Sequence, residues 1–407
     1  MQTIIFIGSN KSGTSRDALI TSSKMGFYTV LFTDRKKIVR QRDEFTEVDN
    51  IIFLNDLLDE EKVLNEIRGL QKQGCEIRAC ISFIDPFVSY AAKIAGELDL
   101  MQLSSEALNK MEEKTRIREL LKEEAYSPYF TIFDFDEPIR TYAKKLETQL
   151  PLILKSPVSN GSKDVLLAKT KDEFIKGVKK LREKYPTTAV LIEEYLQGPQ
   201  YLIEVMVCNN SINIVAIIEQ EILNNDRFII IGYLFPASLT NELSAKLDNT
   251  ITNIIHQLGL ANGNCHFEMR NVAGEWKLIE INPRMSGGAM NRIILEGTGI
   301  NFVKEIIKLN LGEEPSLIPV KTQFVYARFL TVNSRGRLMK VTGKNRASNL
   351  IGVKEVFVKP RKGAILSDPH SLGDRYAYVI ASADTAKQAR KYALNAAKEI
   401  QFYLEPL

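Results

Sequence analysis

Residues 265–288 read CHFEMRNVAGEWKLIEINPRMSGG, two alternating apolar runs joined by Ala273-Gly274. This pattern predicts an antiparallel hairpin closed by a tight glycine turn. Centring the turn near Gly274 sets Glu268 opposite Glu280 and His266 opposite Asn282. Side chains alternate between faces with period two, so Glu280 and Asn282 share a face. That face then presents two carboxylates and an amide oxygen. Such oxygens suit Mg²⁺, which completes its octahedron with water and substrate phosphate. Two like charges this close are costly without a cation. An ordinary hairpin with a solvated charged face is the plain alternative. Arg284 just past the carboxylates shifts the balance, because an arginine there can stabilise a transferring phosphoryl group or an acyl phosphate. Ser286, Gly287 and Gly288 add small residues whose backbone amides let an anionic substrate approach closely.

Two upstream stretches carry related chemistry. Residues 151–165 read PLILKSPVSNGSKDV, a strand ending in Lys155 and running into a small, polar loop. A lysine there acts as a point charge on phosphate oxygens, and loop amides and hydroxyls can close over them. Residues 190–200 read VLIEEYLQGPQ, a strand entering a short linker whose backbone groups can read an adenine edge.

Further out, Thr3–Gly8 reads as a buried parallel strand. Strands near 27–32, 51–54 and 80–83 alternate with helices over 17–25 and 59–71. This alternation predicts a doubly wound α/β unit. The turn GSNKSGTS at 8–15 lacks the lysine of a phosphate-binding P-loop and reads as a strand-to-helix turn facing a substrate carboxylate. Ser104 or Ser105 is expected to cap a helix running to about Glu124. Helices are expected over 170–184, 243–258, 301–310 and 385–401, with strands over 212–235 and 264–282.

The 407 residues allow two to three domains. With 54 Lys and Arg against 50 Asp and Glu, the chain lacks the cationic excess of a polyanion binder, and no nucleic-acid partner is expected. The basic run Arg35, Lys36, Lys37, Arg40, Arg42 reads as a solvated face. Four cysteines without a C-x-x-C pair, and three histidines, argue against a His/Cys metal site and suit a reducing cytosol. No window is long and apolar enough for a membrane span or a signal peptide.

Taken in order, Lys114, Lys155, the Glu193–Leu196 linker, Glu268, Glu280, Asn282 and Arg284 resemble the signature of the ATP-grasp superfamily. The resemblance covers the whole chain. It implies an α/β ATP-grasp fold with an N-terminal doubly wound domain over 1–105, a grasp domain over 106–312 whose small lid lies at about 115–190, and a C-terminal α+β domain over 313–407. It implies that Lys114, Lys155, Ser159, Gly161 and Ser162 contact ATP phosphates, that Glu193, Glu194, Tyr195 and Leu196 hold adenine, and that Glu268, Glu280 and Asn282 bind Mg²⁺ or Mn²⁺. Arg284, with Lys155, Ser286, Gly287 and Gly288, would hold the substrate carboxylate or acyl phosphate. The sequence departs from the family at Gln200, where glutamate often holds the ribose; Glu204 is the other candidate.

Within that superfamily the chain is similar to L-amino-acid ligases, which join two free amino acids. The run 282–288 and the ending GAIL at 363–366 through DRYAYVI at 374–380 carry this resemblance. It implies ATP-dependent carbon–nitrogen ligation through an acyl phosphate, small amino-acid substrates, a homodimer and a cytoplasmic setting. The segment 219–227 lies where members of that family line the substrate pocket, and its acids can select a cationic amino acid; a solvated polar loop is the plainer reading. A ligase for another carboxylate, a carboxylase and a catalytically silent ATP-binding regulator are the rival readings.

Overall fold

The computed structural model describes residues 1–158, 164–223 and 228–407. The chain opens on a four-stranded parallel sheet, ordered Asn50–Phe53, Tyr28–Thr33, Gln2–Ile7, Glu76–Ile81. Ile4 to Ile7 are buried in succession, as a parallel strand covered by helices on both faces requires. The last strand ends at Ile81, earlier than the expected 80–83. Beyond it, the Ser82 hydroxyl donates to the Ile7 carbonyl and holds the loop across the strand ends.

The expected long helix after Ser104 is two helices, Ser105–Glu112 and Lys114–Leu120. Glu113 between them is extended, at φ −108° and ψ 100°. The physical reason lies in the two anchors. Glu112 accepts hydrogen bonds from the amides of Val88 and Ser89 and from the Ser89 hydroxyl, at the start of the Val88–Glu97 helix. Arg118, one turn into the second helix, is drawn onto Glu193. The Ser104 side chain does not cap; its hydroxyl accepts from the amides of Ala261 and Asn262 instead.

A second, antiparallel four-stranded sheet follows the order Phe130–Phe133, Val190–Glu194, Leu152–Lys155, Val165–Ala168. Helix Lys171–Lys184 lies over it. Thr170 caps that helix by accepting from the Glu173 amide. Phe174, Val178 and Leu181 form its buried stripe.

The third sheet has eight antiparallel strands, ordered Glu275–Asn282, Gly263–Val272, Gln200–Cys208, Ser211–Ile222, Ile230–Phe235, Phe324–Leu330, Ala377–Ala383, Val353–Val358. Helix Asn241–Leu258 buries Leu247, Ile251, Ile254, Ile255 and Leu258, and Gly259 ends it in the left-handed conformation at φ 72°. The sheet runs without interruption across residues 312 and 313, because Ile230–Phe235 pairs with Phe324–Leu330. A small sheet of Ile365–Leu366, Gly336–Thr342 and Gln401–Pro406 completes the chain.

Candidate active site

The hairpin pairs Glu268 with Glu280 and His266 with Asn282. The turn is nevertheless half a residue away from Gly274. Val272 pairs with Glu275 around Ala273 and Gly274, both with positive φ, as a two-residue hairpin turn requires. A bulge between Glu268 and Met269 shifts the register by one and restores the expected pairing at the site. The bulge leaves the Ile279 carbonyl without a cross-strand partner, and Arg118 Nη2 donates to it at 2.6 Å.

Glu268 and Glu280 share one electrostatic environment. Burial and the Glu280 charge push the Glu268 carboxyl up, against the pull of Lys155. Burial acts upward on Glu280 too, but Lys114 and Lys155 outweigh it and hold that carboxyl below its ordinary range. Asn282 is oriented by its neighbour. Its Nδ2 donates to His266 Nε2 at 3.3 Å, and His266 Nδ1 donates to the Arg284 carbonyl at 2.7 Å. Burial, with Arg284 alongside, lowers His266 to about 4, so the ring is neutral and accepts at Nε2. The Asn282 oxygen is thereby left as the free acceptor. Two facing carboxylates and an amide oxygen fit a hard divalent cation that takes its remaining ligands from water and phosphate. Among the described residues no group of three or more His, Cys, Asp or Glu side chains is assembled, so no all-protein metal cage exists there.

The two lysines converge on these acids. Lys114 Nζ lies 3.3 Å from Glu280 Oε1, and Lys155 Nζ lies 2.5 Å from Glu193 Oε2. Glu193 also takes Arg118 Nε at 2.5 Å. Burial alone would raise Glu193, but Arg118 and Lys155 together hold it at about 2. Glu193 is therefore a buried hub that fixes Lys155 at the wall of the cleft. Sequence reasoning missed Arg118; its only signal was the four-residue spacing from Lys114, which places both on one helix face.

The cleft over this hub is walled by Ile153, Val165, Leu196, Phe228, Ile230 and Ile279, with Lys114, Lys155, Glu268 and Glu280 at its polar side. Apolar walls with charges to one side suit a nucleobase and its phosphates. The linker amides are largely engaged: Glu194 donates to the Tyr129 carbonyl at 3.0 Å and Tyr195 to Pro151 at 3.3 Å. The Leu196 carbonyl accepts from Arg270 Nη1 at 2.6 Å. The Leu196 amide makes no hydrogen bond to the described residues. Gly198 fastens the linker down. At φ 140° it lies so close to the hairpin that an added Cβ would meet the Asn271 carbonyl oxygen at 1.9 Å.

Gln200 lines the cleft, donating to Gln220 at 2.7 Å and accepting from Arg270. Glu204 does not line it. Glu204 is fully buried behind the loop that follows the hairpin, where its Oε1 accepts from the Ser286 amide at 2.9 Å. Of the two ribose candidates, the structure brings only Gln200 to the cleft. Burial raises Glu204 to about 8, with Ser286 and Arg284 pulling down. The folded state then holds a proton that the unfolded chain releases, so stability falls as pH rises between 4.5 and about 8. Glu204→Gln should flatten this slope, which for one proton reaches about 1.4 kcal/mol per pH unit. Urea unfolding of both proteins across that range tests it; parallel curves would refute the assignment.

Arg284 is clasped rather than free. Its Nε and Nη2 donate to Asp85 Oδ2 at 2.8 and 2.5 Å, across the interface with the first sheet. Asp85 stands beyond the end of strand Glu76–Ile81, and nothing in the local sequence marks it as a partner. The Ser286 amide is taken by Glu204, which corrects its reading as a free donor. Gly287 and Gly288 are exposed, and their amides bond to no described residue. Thr14 Oγ1 donates to the Ser286 carbonyl at 2.7 Å, and a Cβ on Gly13 would stand 3.2 Å from the Gly288 nitrogen. The turn at 8–15 thus buttresses the loop after the hairpin.

Of the acids in the segment 219–227, Glu219 and Glu221 do not line the nucleotide cleft. Glu219 and Glu221 alternate with Gln220, which points to it. Glu221 is held by Arg390 at 3.0 Å, by Arg328 at 3.4 Å and by the Tyr326 hydroxyl. Asp226 lies outside the described residues, as do Ser159, Gly161 and Ser162.

Comparison with known proteins agrees with this architecture. Residues 148–292 match the ATP-grasp domain model, and residues 328–405 match the L-amino acid ligase C-terminal domain 2 model. The chain therefore carries an ATP-grasp domain followed by an L-amino acid ligase C-terminal domain. The crystal structure of an L-amino acid ligase from Bacillus licheniformis superposes with a TM-score of 0.83 at 21% identity, covering 100% of this chain and 99% of that one. The biotin carboxylase domain of 2-oxoglutarate carboxylase from Hydrogenobacter thermophilus, crystallised with MgADP and bicarbonate, superposes with a TM-score of 0.73 at 14% identity, over 99% of this chain and 91% of that one. In sequence, the uncharacterized protein y4rH of Sinorhizobium fredii is 27% identical over 266 residues, 64% of this chain and 54% of y4rH. The chain spans about half the length of the curated relatives it matches first. No helix of the described residues is long and apolar enough to cross a membrane.

Proposed function

We propose that this protein is an ATP-dependent carboxylate–amine ligase that joins two free L-amino acids through an acyl phosphate, releasing ADP and phosphate. The observation that carries the proposal is the in-register pair Glu268 and Glu280, with Asn282 oriented beside them and Lys114 and Lys155 converging on the same cleft. The L-amino acid ligase C-terminal domain supports the choice of amino acids as substrates.

In this reading the cleft holds ATP with its base between the apolar walls and its phosphates toward the lysines. Glu268, Glu280 and Asn282 would hold Mg²⁺ or Mn²⁺, which when bound supplies charge neutralisation between the phosphates. Lys155, pinned by Glu193, and Lys114, resting on Glu280, set positive charge where the γ-phosphoryl group leaves ADP. A substrate carboxylate oxygen takes that group, giving an acyl phosphate. The amine of the second substrate then attacks the acyl carbon, phosphate departs and the nitrogen loses a proton. Arg284 holds the carboxylate and then the acyl phosphate, sharing or releasing its bond to Asp85. Such a reaction asks the protein mainly to position and to neutralise charge.

The test is ADP release from Mg-ATP across a matrix of paired L-amino acids, with mass spectrometry of products. A pair-dependent rate with a dipeptide mass is expected. Silence across the matrix with ATP still bound would remove the dipeptide reading and point to another carboxylate or to a regulator.

A further inference from the structure

A second cavity of about 1000 Å³ lies between the turn at 10–13, the start of the helix that follows Gly288, and the sheet face carrying Glu355 and Tyr378, with Arg375 just before strand Ala377–Ala383. The chain reaches it from the nucleotide cleft within 280–288, since Glu280 lines one and Gly288 the other. Its charged lining is uneven, with seven Lys and Arg side chains (Lys11, Arg16, Lys24, Arg35, Arg292, Lys359, Arg375) against two acids, Asp17 and Glu355. Several cations are already neutralised. The surplus beside Arg375 is Lys24 and Arg35, because Lys359 is engaged and Lys11 pairs with Glu44, Arg16 with Glu47, and Arg292 with Glu296 and Glu355.

Arg375 differs from these. It has no carboxylate partner among the described residues, yet it is held firmly. Its guanidinium stacks 4.0 Å from the centroid of Phe329, its Nε donates to the Leu372 carbonyl at 3.2 Å, and its Nη1 donates to the Ile230 carbonyl at 3.3 Å. Nη2 makes no hydrogen bond to the described residues and stands 3.9 Å from where a Cβ of Gly288 would be. Stacking and two carbonyls thus fix an arginine with one end open to the cavity. A pre-organised guanidinium of this kind is suited to a carboxylate. Among the described residues the acids lining the cavity are Asp17 and Glu355, and both sit around Arg292 and Tyr378.

We propose that Arg375 anchors the carboxylate of the amine-bearing substrate, and that the cavity's surplus of cations selects an amino acid carrying a second carboxylate over a basic one. This inference rests on the ligase reading for its reaction, but not for its binding site. It reverses the preference for a cationic substrate that the acids in the segment 219–227 suggested in the sequence.

The test uses the full chain saturated with Mg-ADP and titrated calorimetrically with L-glutamate, L-glutamine and L-lysine. L-Glutamate is expected to bind at least about tenfold more tightly than the other two, and Arg375→Gln to lose at least about tenfold of that affinity. Arg375→Lys, which keeps the charge, is expected to fall between them. Melting temperature and ADP affinity report whether Arg375→Gln folds; if it does not, Arg375→Lys carries the comparison. In turnover, Arg375→Gln should raise KM for the amine-bearing substrate and leave KM for ATP unchanged. Equal L-glutamate binding by wild type and a folded Arg375 variant, or a wild-type preference for L-lysine, overturns the inference. Arg375-dependent L-glutamate binding without any dipeptide would instead sink the ligase reading and keep the anchor. Dipeptide formation indifferent to Arg375 would do the reverse.

Discussion

Replacing Glu280 with glutamine is expected to cut ADP release by about a hundredfold or more, equivalent to roughly 2.7 kcal/mol of transition-state stabilisation. Glu280 faces Glu268 across the hairpin and holds Lys114 at 3.3 Å, so one substitution removes a cation ligand and frees a phosphate-directed lysine. The fold should survive. Glutamine keeps the shape, and the Glu280 charge is one of the causes that push the Glu268 carboxyl up. Removing that charge relieves the like-charge contact with Glu268 but also loses the attraction to Lys114 and Lys155 that holds Glu280 below its ordinary range, so the melting temperature should fall modestly while the protein stays folded. A coupled assay of ADP release, run beside thermal unfolding, separates the outcomes. Turnover within threefold of wild type would mean that the facing carboxylates do not carry the reaction.

Arg118→Met is expected to lower stability by about 3–5 kcal/mol, the usual cost of removing one member of a buried ion pair. Arg118 and Glu193 are both almost fully buried, and Lys155 completes the cluster. The substitution leaves Glu193 with half its compensation and strips the Ile279 carbonyl of its donor. Urea unfolding measures the loss. A double variant, Arg118→Met with Glu193→Leu, should recover part of it, because a matched apolar pair carries no uncompensated charge. That double variant should still bind ATP poorly, since Lys155 loses the carboxylate that fixes it. A loss below 1 kcal/mol in the single variant would show that the cluster is solvated.

The hairpin was legible because its information is local. Alternation, a glycine turn and two acids in facing positions determine the register that a site needs, and the bulge at Ile279 corrected a turn misplaced by half a residue. The doubly wound sheet and the capped helices were legible for the same reason. What escaped was non-local. Glu113 is extended with no glycine or proline to mark it, because Glu112 and Arg118 are pulled toward different partners. Asp85 meets Arg284 across 199 residues of chain, and Glu193 is bound by an arginine 75 positions away. Strand alternation at 219–221 was readable in principle, and it places Glu221 on the face opposite Gln220, where two arginines hold it.

The uninterrupted eight-stranded sheet has a consequence for synthesis on the ribosome. Strand Ala377–Ala383 is inserted between Phe324–Leu330 and Val353–Val358, both made before it. Until residue 383 emerges, Phe324–Leu330 has an open edge on the side away from the hairpin, and Val353–Val358 has no neighbour in the sheet. Open edges of this kind are templates for pairing with another chain. The nascent chain therefore already holds every residue that lines the nucleotide cleft, from Lys114 to Glu280, for some sixty residues of elongation while its sheet is still unfinished, between 324 and 383. That window is when a chaperone has most to protect, and when slowed translation would favour aggregation over folding.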